Sequence, residues 1–222
     1  VVKNGEYDPD AWLDRYIEIM RTPGWHRDTY LEEIHREFFT RLARGKKPRQ
    51  CGIDDNHIGG LTPVSALVAA LAQLGWDDTK QIRDTVMLHV GLTHQNRGVL
   101  DAAGNLSDLL CHLAEGGAVE SALPALSGWG VSAGKLEDWS KLGDREVVGS
   151  KLSPACYIRD AFPASLFLFW KYRDDFQAGV LANARCGGDN AHRGAVVGSL
   201  LGAAQAIPAD LLDGLVDCPV EM

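Results

Sequence analysis

Cys186-Gly-Gly-Asp-Asn-Ala-His-Arg-Gly-Ala-Val-Val-Gly-Ser-Leu-Leu-Gly-Ala203 is the stretch from which the rest of the chain is read. Gly187 and Gly188 permit a tight turn with positive φ, a conformation that a Cβ resists. Asp189 then stands where an N-cap belongs, and the spacing predicts a final helix from Asn190 to Ala206. Gly194, Gly198 and Gly202 recur every four residues on one face of that helix, so another helix can approach its backbone closely. Backbone N–H groups at such a start favour an anionic ligand such as a diphosphate. The same residues read equally as a capped, tightly packed core helix. The run is too short, and its loop too polar, for a transmembrane dimer motif.

Outward from this stretch, helical periodicity dominates. Asp8-Pro9-Asp10 reads as a helix start, followed by a face of Trp12, Tyr16, Ile19 and Met20, and Thr22-Pro23-Gly24 breaks it. Tyr30, Ile34 and Phe38 at four-residue spacing predict a second helix that ends near Gly45. A Gly-rich loop, Cys51 to Gly60, leads into a small, apolar, buried helix from Pro63 to Leu74. Amphipathic helices follow over Asp77–Leu92 and Val99–Ala114. Periodicity weakens over 116–153, an irregular insert or a pair of short helices around Ser127-Gly-Trp-Gly130. Ala161–Tyr172 and Phe176–Ala184 are helical again. No segment alternates with period two for long enough to make a strand, and there is no internal repeat. The expectation is a single all-α domain over 1–222.

The function classes are narrowed by composition. With 45% hydrophobic and 23% charged residues the chain sits among globular proteins and not disordered ones. It carries 22 Lys+Arg against 30 Asp+Glu, a formal charge of −8, and Arg44–Arg49 is its one basic cluster. Phosphate contacts supply most nucleic-acid affinity, so that partner is excluded. Cys51, Cys111, Cys156, Cys186 and Cys218 are scattered singly, which fits reduced thiols in an intracellular or organellar compartment. The richest apolar run, Ala161–Trp170, is short of the roughly 18 residues that span a bilayer. The chain opens at Val1 without a basic-then-apolar leader, so either a presequence has been removed or the polypeptide continues beyond it.

Three polar runs can carry chemistry. Asp54-Asp55-Asn56-His57, followed by Gly59-Gly60, can hold a ribose or a metal, or be a solvated turn. Thr93-His94-Gln95-Asn96 offers Thr93 as an N-cap and His94 as a ligand-lining or satisfied core residue. Asp77-Asp78-Thr79 resembles a metal-binding acidic pair, but its place before an amphipathic helix reads as capping.

Taken in order, these pieces resemble the ADP-ribosylglycohydrolase family. The resemblance covers most of the chain: the acidic-start helices of Asn4–Leu42, the Gly/Asn-rich loop and Pro-containing helix of Gly52–Ala66, Leu92-Thr-His94, and Pro154–Gly188. It is most specific in the Gly-Gly-Asp helix with Gly-Ser-Leu-Leu-Gly-Ala and Ile207-Pro208. The resemblance implies an orthogonal multi-helix bundle and hydrolysis of the glycosidic bond between ADP-ribose and a protein side chain or small molecule. It also implies two Mg²⁺ ions held between an N-terminal Thr-Asp-Asp and a C-terminal Asp-x-Asp-Thr. Asp189 matches the first acid of the second cluster, but Ala191 replaces its second acid and His192 its Thr. The chain begins after the point where the Thr-Asp-Asp would lie.

The resemblance therefore assigns Asp189 and His192 as catalytic, and Asp189 as the metal ligand. Asn56, His57, Gly59, His94, Gly188 and Asn190 line the ligand site, with Asp189, His192, His94 and the Gly52–Gly60 loop around one pocket. Partners are an ADP-ribose-type small molecule or an ADP-ribosylated protein, with no nucleic acid and no membrane span. Mg²⁺-dependent hydrolysis by this chain is expected to be absent, since imidazole suits Zn, Fe or Ni better than Mg. The alternatives are a non-catalytic subunit of a larger assembly, or a Zn- or Fe-dependent hydrolase built on the two Asp-x-x-His runs.

Overall fold

The helix starts are made by short acidic side chains. Asp8 accepts the backbone N–H groups of Asp10 and Ala11 at 2.9 and 3.0 Å and opens α1 (Pro9–Arg21). Asp78 does the same for Lys80 and Gln81 at 2.9 and 3.2 Å, so Asp77-Asp78-Thr79 is a helix cap. The structure is a computed structural model and describes residues 2–3, 5–25 and 30–214. Cys218, and Asn4 at the start of the first resembling block, lie outside the described residues. The protein is all-α, with a two-residue hairpin β1 (Val2–Lys3) and β2 (Glu6–Tyr7) before α1. The chain divides into two compact units, Val1–Asp108 and Leu109–Met222.

In the first unit α2 (Glu33–Ala43), α3 (Val64–Gln73) and α4 (Thr79–Gly91) follow α1, and α5 (Arg97–Ala114) begins. Leu13, Phe38, Cys51 and Leu92 form a buried cluster against which Trp12, Tyr16, Ile17, Phe39 and Leu42 pack. Tyr30 lies outside α2, contrary to the expected four-residue series. Glu32 takes an extended backbone and the helix starts after it, leaving Tyr30 exposed. Trp12 stacks on Tyr16 with ring centroids 5.2 Å apart and meets His89 in a T-shaped pair at 4.7 Å. The hydroxyl of Tyr7 lies 2.7 Å from His89 Nδ1. Burial pushes the His89 imidazole down to about 4, so it is neutral at physiological pH.

In the second unit the weakly periodic stretch holds short helices: α6 (Val119–Ala122), a 3₁₀ run Leu123–Trp129, α7 (Ala133–Ser140) and α8 (Asp144–Glu146). They place Leu126, Leu136 and Trp139 in the core. Next come α9 (Ile158–Lys171), α10 (Phe176–Cys186), α11 (Asn190–Ala204) and α12 (Ala209–Asp213). Every residue of α9 from Ala161 to Trp170 is buried. Trp129 packs edge-on against Phe162, and Trp139 against Phe167. Among the described residues no helix is long and apolar enough to cross a membrane.

The α10–α11 contact corrects the reading of the glycine stripe. The expected close approach holds at Gly194, where a Cβ would lie 2.8 Å from Asn183 Nδ2 of α10, but not further along: a Cβ on Gly198 would meet nothing within 4 Å, and one on Gly202 only ordinary contacts at 3.5–3.7 Å. The buried face of α11 is instead Arg193, Val196, Val197, Leu200 and Leu201. A second close approach is on α10, where a Cβ on Gly179 would lie 2.6 Å from Leu201 Cδ1.

Candidate functional site

The polar residues singled out by sequence fall into one group in each unit. In the first unit the loop Cys51–Gly60 is stitched to the segment after α4. The N–H of Ile53 donates to Thr93 O at 2.9 Å, and the N–H of Gln95 donates to Ile53 O at 2.7 Å. This brings His94 onto the loop: a Cβ on Gly60 would lie 2.9 Å from His94 Cγ, so only glycine lets the ring sit there. His94 is buried, and its Nδ1 lies 2.9 Å from Thr93 Oγ1. Thr93 is therefore not the N-cap of α5. That role falls to Asn96, whose Oδ1 accepts the N–H groups of Gly98 at 2.9 Å and Val99 at 3.4 Å. Asn96 also donates Nδ2 to Asp54 Oδ1 at 2.7 Å.

Asp55 is buried and holds His57 twice through Oδ1, accepting its backbone N–H at 2.8 Å and lying 3.0 Å from its Nδ1. A carboxylate only accepts, so Nδ1 carries the proton of this contact. The loop thus presents a tethered imidazole, the exposed Asn56 and Gly59, in the 3₁₀ turn Ile58–Leu61.

The second group is the turn before α11. Gly187 and Gly188 take φ of 71° and 65°. A Cβ on Gly188 would lie 2.1 Å from Pro154 O, a backbone atom that cannot yield, so that position is closed to other residues. Asp189 caps α11, accepting the N–H of His192 on Oδ1 at 3.3 Å, while Oδ2 lies 3.0 Å from His192 Nδ1. The three-residue spacing does place both side chains on one helix face, as the sequence predicts. Asn190 turns back, donating Nδ2 to Ala184 O at 3.1 Å. The carboxylate–imidazole pair of the first unit is repeated here with the same atom, Nδ1, on the acid.

Both oxygens of Asp189 are engaged within its own first turn, and the next positions offer a side-chain amide and a methyl group. Mg²⁺ takes hard oxygen ligands in near-octahedral geometry. This donor set is one carboxylate and one imidazole, which does not fit that ion. Among the described residues no three His, Cys, Asp or Glu side chains gather as a metal cluster.

Sequence reasoning missed two features beside this turn. One is Arg193, fully buried although charged, with burial lowering its pKa and four carbonyl oxygens around it. A signal was present in its position on the inward face of α11, one residue past His192. The other is a hollow of about 360 Å³ lined by Gly143, Asp144, Arg145, Ala182, Arg185 and Cys186, among others. At its edge Asp144 accepts from Lys171 Nζ at 2.8 Å and from the Tyr172 hydroxyl at 2.7 Å. Burial, helped by the bond to Asp144, pushes Tyr172 up to about 12. Burial likewise raises the Cys186 thiol, which keeps it protonated and a weak nucleophile. Cys51 and Cys186 are free thiols.

An all-α chain whose last long helix begins at a Gly-Gly-Asp turn is the class that fold and site define. The ADP-ribosylglycohydrolase family profile matches residues 1–221, and the chain belongs to that family. A solved structure of an ADP-ribosylglycohydrolase-related protein complex is similar in fold, with a TM-score of 0.67 and 23% sequence identity. The match covers 94% of this chain and 69% of that one. No curated protein matches the sequence.

Proposed function

We propose that this chain recognises ADP-ribosyl groups and does not cleave their glycosidic bond with Mg²⁺. The observation that carries the reading is the engagement of both Asp189 oxygens by His192, with Ala191 where the family has its second acid. To bind a divalent ion, Asp189 would have to give up the cap of α11, and Ala191 would contribute nothing. Two-metal hydrolysis needs one ion to clamp the substrate diol and another to position water, which these residues do not support. Gly188 and Asn190, at the start of α11, and Asn56, His57, Gly59 and His94 of the loop are the ligand-lining residues on this reading. Where a bond is broken at all, His192, oriented by Asp189, is the acid or base. Family membership supports ADP-ribose or an ADP-ribosylated protein as the partner.

Calorimetric titration with Mg²⁺ and with ADP-ribose, beside a release assay on ADP-ribosylated peptide, tests this. The expected result is ADP-ribose binding that is the same with Mg²⁺ or EDTA, and no Mg²⁺-dependent release. Micromolar Mg²⁺ affinity, with turnover abolished by Asp189→Ala, refutes it.

A second reading, a binding subunit of an assembly, is supported by the exposed Val180 and Leu181 on the outer side of α10. The similar solved structure is also of a protein complex. Loss of self- or partner-association in Val180→Ser/Leu181→Ser is its test.

A further inference from the structure

A helix C-terminus leaves its last four carbonyls without intrahelical partners and carries partial negative charge. At the end of α10 three of these are met by side chains. Arg193 Nη2 donates to Asn183 O at 3.2 Å, Asn190 Nδ2 to Ala184 O at 3.1 Å, and Arg145 Nε to Arg185 O at 2.7 Å. The negative end of α10 thus offsets the burial of the Arg193 guanidinium, which makes no carboxylate ion pair among the described residues.

Capping α10 needs only one edge of that guanidinium. Nη2 also donates to Gly187 O at 2.8 Å and Nη1 to Pro154 O at 3.4 Å, while Nε donates to Asn183 Oδ1 at 2.7 Å. Pro154 O is the carbonyl that takes the backbone N–H of Asp189, at 3.0 Å. Asn183 in turn donates Nδ2 to Asn190 O at 2.8 Å. The peptide before Asp189 and the peptide after Asn190 are therefore gripped by groups that Arg193 holds.

We propose that Arg193 is a positioning residue, which acts through Asn183 and Pro154 to fix the Asp189 carboxylate against the His192 ring. The side chain points into the core from the residue next to His192, so it touches no ligand itself. Its effect is to keep Asp189 from swinging outward and to set one tautomer of His192. What that pair then does to a ligand rests on the function proposed above; the positioning does not.

The test uses the full chain with ¹⁵N-labelled histidine. In the unsubstituted protein the ring-nitrogen resonances of His192 should identify Nδ1 as the protonated atom. Arg193→Lys keeps the charge but not the planar fork of donors. It should replace that signature with one averaged over tautomers and weaken ADP-ribose binding by about tenfold or more, as loss of an orienting partner typically does. Gly194→Ala strikes the same clasp in a variant that keeps Arg193, because its Cβ would lie 2.8 Å from Asn183 Nδ2. It should shift the signature in the same direction, and it decides the matter if Arg193→Lys does not fold. Val197→Ala, a core truncation on the same helix, should lower the melting temperature and leave the signature intact. An unchanged signature in Arg193→Lys, or in Gly194→Ala where Arg193→Lys does not fold, overturns the positioning role. So does a signature lost equally in Val197→Ala, since general loosening would then suffice. If the unsubstituted protein does not bind ADP-ribose, the proposed function falls, and the histidine spectra still decide the role of Arg193.

Discussion

Substituting alanine at Gly179 and at Gly198 should have opposite effects, although both are helical glycines in neighbouring elements. At Gly198 a Cβ has open space around it. Alanine there gains the helix propensity that glycine forgoes, about 0.5–1 kcal/mol. At Gly179 the Cβ would lie 2.6 Å from Leu201 Cδ1 and 3.0 Å from Tyr172 Cβ. Leu201 is itself fully buried, so its methyl group has little room to withdraw. Overpacking of this kind costs about 1–3 kcal/mol, and the propensity gain offsets part of it, leaving a net loss of about 1–2 kcal/mol. For a chain of this length each kcal/mol moves the melting temperature by about 2–4 °C. Gly198→Ala should therefore raise it by about 1–4 °C, and Gly179→Ala should lower it by about 2–8 °C. Thermal unfolding followed by circular dichroism, with urea midpoints as a second measure, separates the two. A destabilised Gly198→Ala would show that the α11 face is packed at Gly198 as well as at Gly194, and a Gly179→Ala at least as stable as the parent would refute the close contact of α10 with Leu201.

Three further outcomes follow from the caps and the buried histidine. His89 titrates near 6.5 when unfolded and about 4 when folded, so the unfolded chain binds more protons between those values. Stability is then full above pH 6.5 and declines as pH falls towards 4. The loss from pH 7 to 5 is about 2 kcal/mol in urea titrations, and His89→Gln should remove that part of the slope. Asp78→Ala should cost about 1 kcal/mol through loss of the α4 cap, and Asp77→Ala less than about half of that. Equal effects, or a shift in stability on adding Mg²⁺, would mean that the acidic pair is not simply a cap.

The all-α class was legible because a 3.6-residue apolar period leaves its mark wherever one helix face is buried. Caps were legible too at Asp8, Asp78 and Asp189, where a short acid immediately precedes an apolar series. The same logic misassigned Thr93, since two good caps stand three residues apart and only the point where the folded backbone turns helical, at Arg97, decides between them. Spacing put Gly194, Gly198 and Gly202 on one face but could not say which way that face points. Arg193 lies on the buried face, and a charged residue is the last to be assigned there from sequence. Asp189 and His192 could be paired from their spacing, whereas Pro154 and Asn183 reach the site only through the fold. The loop carrying Asn56 and His57 was identifiable by its polarity; its attachment to His94 depends on backbone pairing that no side-chain pattern encodes.

The burial of α9 on all sides has a consequence for how the protein is made. Ala161–Trp170 emerges from the ribosome before α10 and α11, the helices that later cover it, have emerged in turn. During that interval four aromatic side chains and several aliphatic ones have no complete shelter, and only α7 and the 3₁₀ run Leu123–Trp129 can mask part of them. Such a segment is a natural binding site for a chaperone and a point where premature association between nascent chains can begin. Any change that slows elongation while α10 and α11 are still within the ribosome would lengthen the exposure without altering the native fold, and its mark would be a lower soluble yield at unchanged stability.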